Sequence, residues 1–298
     1  ILVVSSLVAF YGLGQVYLGF PVISTSNSEF SKGLALTLGA GARINSTFAG
    51  HYDLAAFSVF PLLLITGLLA ISAKPRWLLL ILGAAAHWTL LLSASRVSFA
   101  SFVVCAGLLL LALRKFSWIP LLIILSLVSV IVSPQLRGRY LEFITQIHAQ
   151  EESKSVESVP DALKPTAKPE DRSFNIRLNV EWPRALRAVQ KNPLFGTGFS
   201  SVGLATDNEY LRTMAETGLL GLFAFLLIFI RFFKTTAKFV TSYRPDLEHV
   251  FILTMSCGIL SLLLNAVFID VFAASKIALF AWLVMGVTEK VKSEYKPL

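Results

Sequence analysis

The chain has 298 residues, of which 55% are hydrophobic and only 15% are charged, and its mean hydropathy is +0.70. A soluble domain carries about 25% charged residues, so the composition excludes an ordinary soluble protein and indicates a polytopic membrane protein. The net charge is +8. We attribute this charge to basic loops that set the topology and contact membrane lipid, and we expect no nucleic-acid partner.

Eight apolar runs are long enough to be transmembrane helices, because a bilayer core needs roughly 20 apolar residues in a helix. They cover residues 1–19, 54–73, 77–94, 97–113, 116–133, 216–233, 249–269 and 272–289. We therefore predict an all-α integral membrane protein with about eight transmembrane helices and a large external loop that contains an amphipathic helix. The chain opens inside an apolar run, and we expect further spans before Ile1.

Basic residues in the short loops and the tail predict the orientation of these spans, since such residues concentrate on the cytoplasmic side. Ten of them fall on one side: Lys74, Arg76, Arg114, Lys115, Lys234, Lys238, Arg244, Lys290, Lys292 and Lys296. The predicted organisation is five spans in residues 1–133 with an external loop at 20–53, an external loop at 134–215, and three spans with a cytoplasmic tail in 216–298. The external side also receives the Ser95–Arg96 turn and Asp270.

The external segment 134–215 changes character along its length. Residues 149–171 lack aromatics and are rich in Glu, Ser, Pro and Lys, a composition that predicts a flexible segment. Residues 173–192 return to an amphipathic helical pattern, in which Pro183 marks a start or a kink. Basic side chains recur on one face of this helix: Arg177, Arg184, Arg187 and Lys191. This face is either an ordinary solvated surface or a cationic surface for a phosphate-linked donor.

Two further groups of polar residues lie next to spans on the external side. Arg96 is either a snorkelling charge at a span end or a fixed cation whose fork suits phosphate oxygens. Arg43, His51 and Asp53 precede the second span. There, His51 is either a base oriented by Asp53 or a loop histidine beside a helix-capping aspartate.

The stretch 191–223 delivers a polar cluster to the mouth of a span: Asp207, Asn208, Glu209 and Tyr210. These residues are either helix caps with early acidic residues or a site, since ionisable groups at membrane depth are functional candidates. Gly196 and Gly198 form either a simple turn or a weak anion cradle. The histidines show no metal-ligand spacing, and no nucleotide-binding motif is present.

The order of these motifs resembles the O-antigen ligase and polymerase superfamily of bacterial cell-envelope glycosyltransferases. The resemblance covers residues 40–235 and is carried by NPLFGTGF, by DNEYLRTMAETGLLGL, by the Ser95–Arg96 turn, and by Arg177 with Trp182. It implies transfer of a glycan from a polyprenyl pyrophosphate carrier, such as undecaprenyl pyrophosphate, at the outer face of the bacterial inner membrane. It implies no metal and no other cofactor.

The resemblance also assigns roles to the candidate residues. Arg96 and Arg177 would clamp the pyrophosphate, and Asp207, Glu209 or His51 would deprotonate the acceptor hydroxyl. The expected substrate-binding residues are Arg43, Asp53, Arg184, Arg187, Asn208 and Tyr210. A ligase-type motif has His where this chain has Asp207.

That difference favours a polymerase of lipid-linked repeat units, as in O-antigen or exopolysaccharide synthesis, with chain-length regulator and flippase proteins as possible partners. Two alternatives stay open: a ligase that transfers the glycan to a lipid or protein acceptor, and a transporter of lipid-linked sugars.

Overall fold

The computed structural model describes residues 1–22, 43–72, 76–133, 137–138, 176–203, 206–241 and 246–295. Within these ranges all regular structure is helical, which confirms the predicted all-α class for this part of the chain. The nine α-helices are α1 Leu2–Tyr17, α2 His51–Ile71, α3 Trp77–Ser93, α4 Arg96–Ala112, α5 Ile119–Val132, α6 Trp182–Lys191, α7 Glu209–Thr241, α8 Leu247–Asn265 and α9 Ser275–Glu294. A 3₁₀ turn, Phe116–Trp118, precedes α5, and a π-helical turn, Arg177–Glu181, precedes α6.

Three of these helices, α2, α7 and α8, are long and apolar enough to cross a membrane. Helices α1, α3 and α4, and α5 with the turn before it, are shorter apolar helices. Each predicted span overlaps one helix, but the count of eight stays a prediction. The predicted flexible segment 149–171 and residues 23–42 of the external loop lie outside the described residues.

The core is built around α2 and α8, which pack against each other and against α4. Helix α2 is apolar on all sides, and Leu54, Phe60 and Leu63 are fully buried. A helix that is hydrophobic all round belongs in the interior of a bundle, so the composition of α2 explains its central position. Most apolar side chains of α5 are exposed instead, as expected for a lipid-facing helix.

A buried polar chain joins the start of α4 to the end of α8. The Ser98 hydroxyl donates to Asn265 Oδ1 at 2.7 Å, and Asn265 Nδ2 donates to the Ser101 hydroxyl at 2.9 Å. Such interhelical hydrogen bonds contribute about 0.6–2 kcal/mol each in membrane bundles. Because Arg96 begins α4, these hydrogen bonds place Arg96 at the same end of the bundle as Asn265.

Helix α7 is interrupted at Gly218, whose φ of 74° and ψ of −175° are not helical. The segment 193–198 pairs with the broken turn: the N–H of Leu219 donates to the Pro193 carbonyl at 2.8 Å, and the N–H of Gly198 donates to the Glu216 carbonyl at 3.0 Å. The N–H of Gly196 donates to the Asn192 carbonyl. Gly196 and Gly198 therefore form a turn that docks on α7, and the anion-cradle interpretation is wrong.

Replacing Gly218 by Ala tests this junction. A Cβ at Gly218 would lie 2.2 Å from the Leu194 carbonyl oxygen, in a backbone conformation that L-residues avoid. The strain alone costs about 1–3 kcal/mol, so we expect Gly218→Ala to unfold in detergent at a clearly lower temperature or denaturant concentration than the native chain. The matched control is Gly107→Ala, where a Cβ meets nothing within 4 Å. Equal stability of the two variants would contradict the pairing.

Candidate functional site

Several chain segments that are distant in sequence meet at one end of the bundle. The N–H of Glu209, at the start of α7, donates to the Ala266 carbonyl at 2.9 Å, just after α8. The start of α4 lies there through its contact with Asn265, and the start of α2 joins them through a hydrogen bond between Tyr52 and Arg177. These contacts bring the starts of α2, α4 and α7 and the end of α8 together at one polar end of the bundle, which we call the mouth.

The Asp270 carboxylate organises the loop before α7. It accepts the backbone N–H groups of Thr206 at 2.9 Å, Asp207 at 3.2 Å and Asn208 at 2.9 Å. It also pairs with Arg212 at 3.2 Å, and its side chain is only 5% exposed. Asp270 reads from the sequence only as a turn between two spans, but it holds three consecutive residues of the candidate site.

Glu209 adds a second contact between the start of α7 and the turn after α8. Its Oε2 accepts the N–H of Phe272 at 2.9 Å. Asn208 caps α7, because its Oδ1 accepts the Leu211 N–H at 3.0 Å. The Tyr210 hydroxyl donates to the Leu263 carbonyl at 2.8 Å. These three side chains therefore fasten the start of α7 to α8 and to the turn that follows it.

Arg177 and Asp207 form the central ion pair of the mouth. Arg177 Nε donates to Asp207 Oδ2 at 2.6 Å, and the terminal nitrogen Nη2 lies 2.5 Å from the same oxygen. The guanidinium also hydrogen-bonds Tyr52. Burial disfavours the charged guanidinium, but Asp207 and Tyr52 outweigh it and raise the pKa of Arg177 above its ordinary value. Arg177 is therefore a permanent, positioned cation.

The loop before α2 contributes a second basic side chain. Arg43 Nη1 lies 3.2 Å from His51 Nε2. Asp53 is buried and accepts the N–H of Gly50, so it reaches back to the residue that caps α2. The charged neighbour of Asp53 is Lys276 at the start of α9. In the structure, His51 therefore contacts Arg43, and Asp53 contacts the residue that caps α2. Within the described residues, no contact between Asp53 and His51 orients the imidazole.

The basic side chains predicted to share one face of α6 and the turn before it do not share one environment in the structure. Pro183 lies in the first turn of α6, directly after the π-helical turn, and so marks a helix start. Arg184 donates to the Val202 carbonyl at 3.4 Å, and Arg187 lies on the exposed surface. Of the predicted arginines in this segment, Arg177 is the one that enters the mouth.

The sequence analysis does not predict one ion pair in α7, although the spacing of its two residues indicates it. Arg212 and Glu216 are four residues apart in α7, and their side chains pair at 3.4 Å. Glu216 Oε1 also accepts the Ser200 N–H at 3.1 Å. This pair links the turn at 198–200 to Asp270 through Arg212.

A third missed residue, Glu181, lies in the π-helical turn beside Arg177. Its Oε2 is buried and has no hydrogen-bond partner among the described residues, and the same holds for Trp182 Nε1 and Thr206 Oγ1. Burial, followed by the neighbouring Asp207 carboxylate, raises the pKa of Glu181 to about 7, against the lowering influence of Arg177 and Arg184. Within the described ranges, no three His, Cys, Asp or Glu side chains are grouped to hold a metal ion.

In the part of the chain that the structure describes, three helices are long and apolar enough to cross a membrane, and the Arg177–Asp207 ion pair lies at the polar end of the helix bundle. A family model described as O-antigen ligase matches residues 77–226, half of the chain. The chain belongs to this family, and it is a glycosyltransferase-like membrane enzyme that acts on lipid-linked glycans. The matched range includes Arg96, Arg177 and Asp207. Comparison with curated proteins gives no significant match.

Replacing Asp270 by Asn tests whether this carboxylate holds the mouth together. Asn keeps the shape but loses the charge that accepts three N–H groups and pairs with Arg212, so we expect the free energy of unfolding to fall by about 1.5–3 kcal/mol. The chain should also be cut faster at residues 206–208 in limited proteolysis. The control is Glu294→Gln, which removes only an exposed pair with Lys290 and should change neither property. Native-like proteolysis of Asp270→Asn would refute the role.

Proposed function

We propose that the protein is a polysaccharide polymerase that joins lipid-linked repeat units at the outer face of the bacterial inner membrane. The donor would be a glycan on polyprenyl pyrophosphate, and the acceptor would be the sugar end of another lipid-linked unit. The observation that carries the proposal is the positioned Arg177 guanidinium, held by Asp207 and Tyr52 in the mouth where the helices meet.

Arg177 and Arg96 are proposed to bind the pyrophosphate. A guanidinium has five N–H donors, and Asp207 takes two of those of Arg177. The remaining donors suit phosphate oxygens, which Arg binds in a planar, bidentate manner. Arg96 begins α4 at the same end of the bundle, and Arg43 beside His51 adds a third cation. Such donors stabilise the negative charge that develops on the leaving group.

In the transfer, the acceptor hydroxyl oxygen attacks the anomeric carbon of the donor sugar. A new C–O glycosidic bond forms, the bond to the pyrophosphate oxygen breaks, and that oxygen leaves with the electron pair. The hydroxyl proton must pass to a base. Asp207, Glu209 and His51 are the bases proposed from the sequence, and Asn208, Tyr210, Asp53, Arg184 and Arg187 remain proposed as residues that shape the binding surface.

The proposed orientation supports chemistry on the outer side. Helices α2, α4, α7 and α9 begin at the mouth, and α8 ends there, as the eight-span topology requires. Basic residues of the predicted cytoplasmic side lie at the other ends of these helices: Arg114 follows the end of α4, and Lys290 lies near the end of α9. Flippase and chain-length regulator proteins would supply the substrate and set the product length.

The second candidate function is ligation of the glycan to a lipid or protein acceptor. It is favoured by the family description, O-antigen ligase, which covers the mouth residues. Family membership also favours an enzyme over the transporter alternative. Asp207 in place of the ligase-type His favours polymerisation.

Variants of the two arginines test the donor site. With purified lipid-linked repeat units, we expect Arg177→Ala and Arg96→Ala each to slow chain growth by about 10²–10³-fold, the effect of removing one donor that stabilises developing charge. Arg177→Lys should recover little, because an ammonium lacks the planar fork. Arg76→Ala, an exposed arginine of the predicted cytoplasmic side, is the control. Undiminished growth in Arg96→Ala would remove Arg96 from the mechanism.

The anchor of the product separates polymerase from ligase. We expect purified protein to turn lipid-linked units into longer glycans that remain on the polyprenyl carrier, because the acceptor is itself lipid-linked. Mild acid hydrolysis, which cleaves sugar pyrophosphates, should release these glycans for sizing. Glycan that resists this hydrolysis and is attached to an added lipid or protein acceptor would identify a ligase.

A further inference from the structure

The carboxylates around the mouth differ in how their oxygens are occupied. Oδ2 of Asp207 holds Arg177, Oε2 of Glu209 accepts the Phe272 N–H, and Asp270 accepts three backbone N–H groups. Glu216 accepts from Ser200 and pairs with Arg212. Each of these groups already has a structural partner inside the protein.

Glu181 is different, because its Oε2 is buried and no donor in the described part of the chain reaches it. A buried carboxylate oxygen without a partner is destabilising, and such groups in native proteins call for a functional explanation. Two neighbours repeat the pattern: Trp182 Nε1, the next residue, and Thr206 Oγ1, which precedes Asp207. Glu181 lies close enough to Arg177 and Asp207 for both charges to act on its pKa, so a polar ligand bound at this ion pair could supply the donor that the described residues do not.

Among the described residues, the charged groups that act on Glu181 lie in its own turn, in α6, in the loop before α7 and in the turn after α8. Asp207 and Asp270 repel its negative charge, and Arg177 and Arg184 attract it. Burial and the two carboxylates prevail, so the pKa of Glu181 is raised to about 7. A group of this kind exchanges protons readily at the working pH of an enzyme. The π-helical turn, a feature often found at functional sites, carries both Arg177 and Glu181.

We propose that Glu181 is the catalytic base of the transfer, the residue that accepts the proton of the acceptor hydroxyl; the proposal rests on the glycan-transfer function proposed above. The acceptor O–H bond breaks as its oxygen bonds to the anomeric carbon, and the proton moves to the Glu181 carboxylate. The electron pair of the broken sugar–phosphate bond leaves with the pyrophosphate beside Arg177. Protonated Glu181 then releases its proton to water.

The test uses the full chain in lipid nanodiscs with purified lipid-linked repeat units, and it measures chain growth against pH at saturating donor. The variants are Glu181→Gln and Glu181→Asp, and the control is Glu294→Gln, an exposed residue at the far end of α9. In the native chain the rate should fall as the pH drops below about 7, where Glu181 becomes protonated. Glu181→Gln should lower kcat by about 10²–10⁴-fold and abolish this acidic fall, because it cannot accept a proton.

Glu181→Asp should keep the acidic fall and lose less activity, which a role in folding alone would not produce. If Glu181→Gln fails to fold, this variant decides the question: loss of the acidic fall in folded Glu181→Asp would overturn the proposal. A Glu181→Gln rate similar to that of the native chain, or a defect confined to KM, would also overturn it, and the active native chain would leave the proposed function standing. If native protein and Glu294→Gln both fail to extend lipid-linked units, the proposed function fails and the base assignment fails with it.

Discussion

The arrangement of the mouth depends on one buried carboxylate, Asp270. Its two oxygens accept the N–H groups of three consecutive residues, 206–208, and one of them also meets Arg212. A buried charge is tolerated only when it is paired and fully hydrogen-bonded, and here the backbone of the site loop supplies most of those bonds. Glu209 returns the contact by accepting the Phe272 N–H. The start of α7 and the turn after α8 therefore stabilise each other.

This reciprocal contact explains why the polar residues lie at the end of the bundle rather than within it. The first, polar part of α7, residues 209–217, ends at Gly218. There the helix breaks, and the segment 193–198 pairs with the exposed backbone groups. Backbone groups freed inside a membrane must find partners within the protein, and the docked segment provides them. The longer, apolar part of α7 follows Gly218, and most of its surface is exposed, as expected for a lipid-facing span. The break thus separates the chemistry of the mouth from the membrane anchor below it.

How much of this could be predicted from the sequence depends on how local each interaction is. The helices follow from apolar runs, and the Asn208 cap and the start at Pro183 follow from short-range rules. The Arg212–Glu216 pair follows the four-residue spacing and was readable. The contact of Asp270 with residues 62 to 64 positions earlier was not, because no periodicity connects a turn aspartate to a distant loop. Glu181 was equally hidden, because a glutamate in a polar amphipathic segment normally faces water and only tertiary packing buries it.

The substitution that distinguishes this chain from a ligase-type motif gains a physical meaning from these contacts. Asp207 is engaged by Arg177 through two N–H groups, and its own N–H is held by Asp270. A carboxylate in this position orients the cation; a neutral His would provide a base but no charge to hold the guanidinium. If Asp207 positions Arg177, the proton must go elsewhere, and Glu181 is the neighbouring carboxyl with an oxygen that no donor in the described ranges reaches. Under the proposed mechanism, the exchange of His for Asp would move the base from the loop at 206–208 to the turn that carries Arg177, while the proposed pyrophosphate site at Arg177 would stay in place.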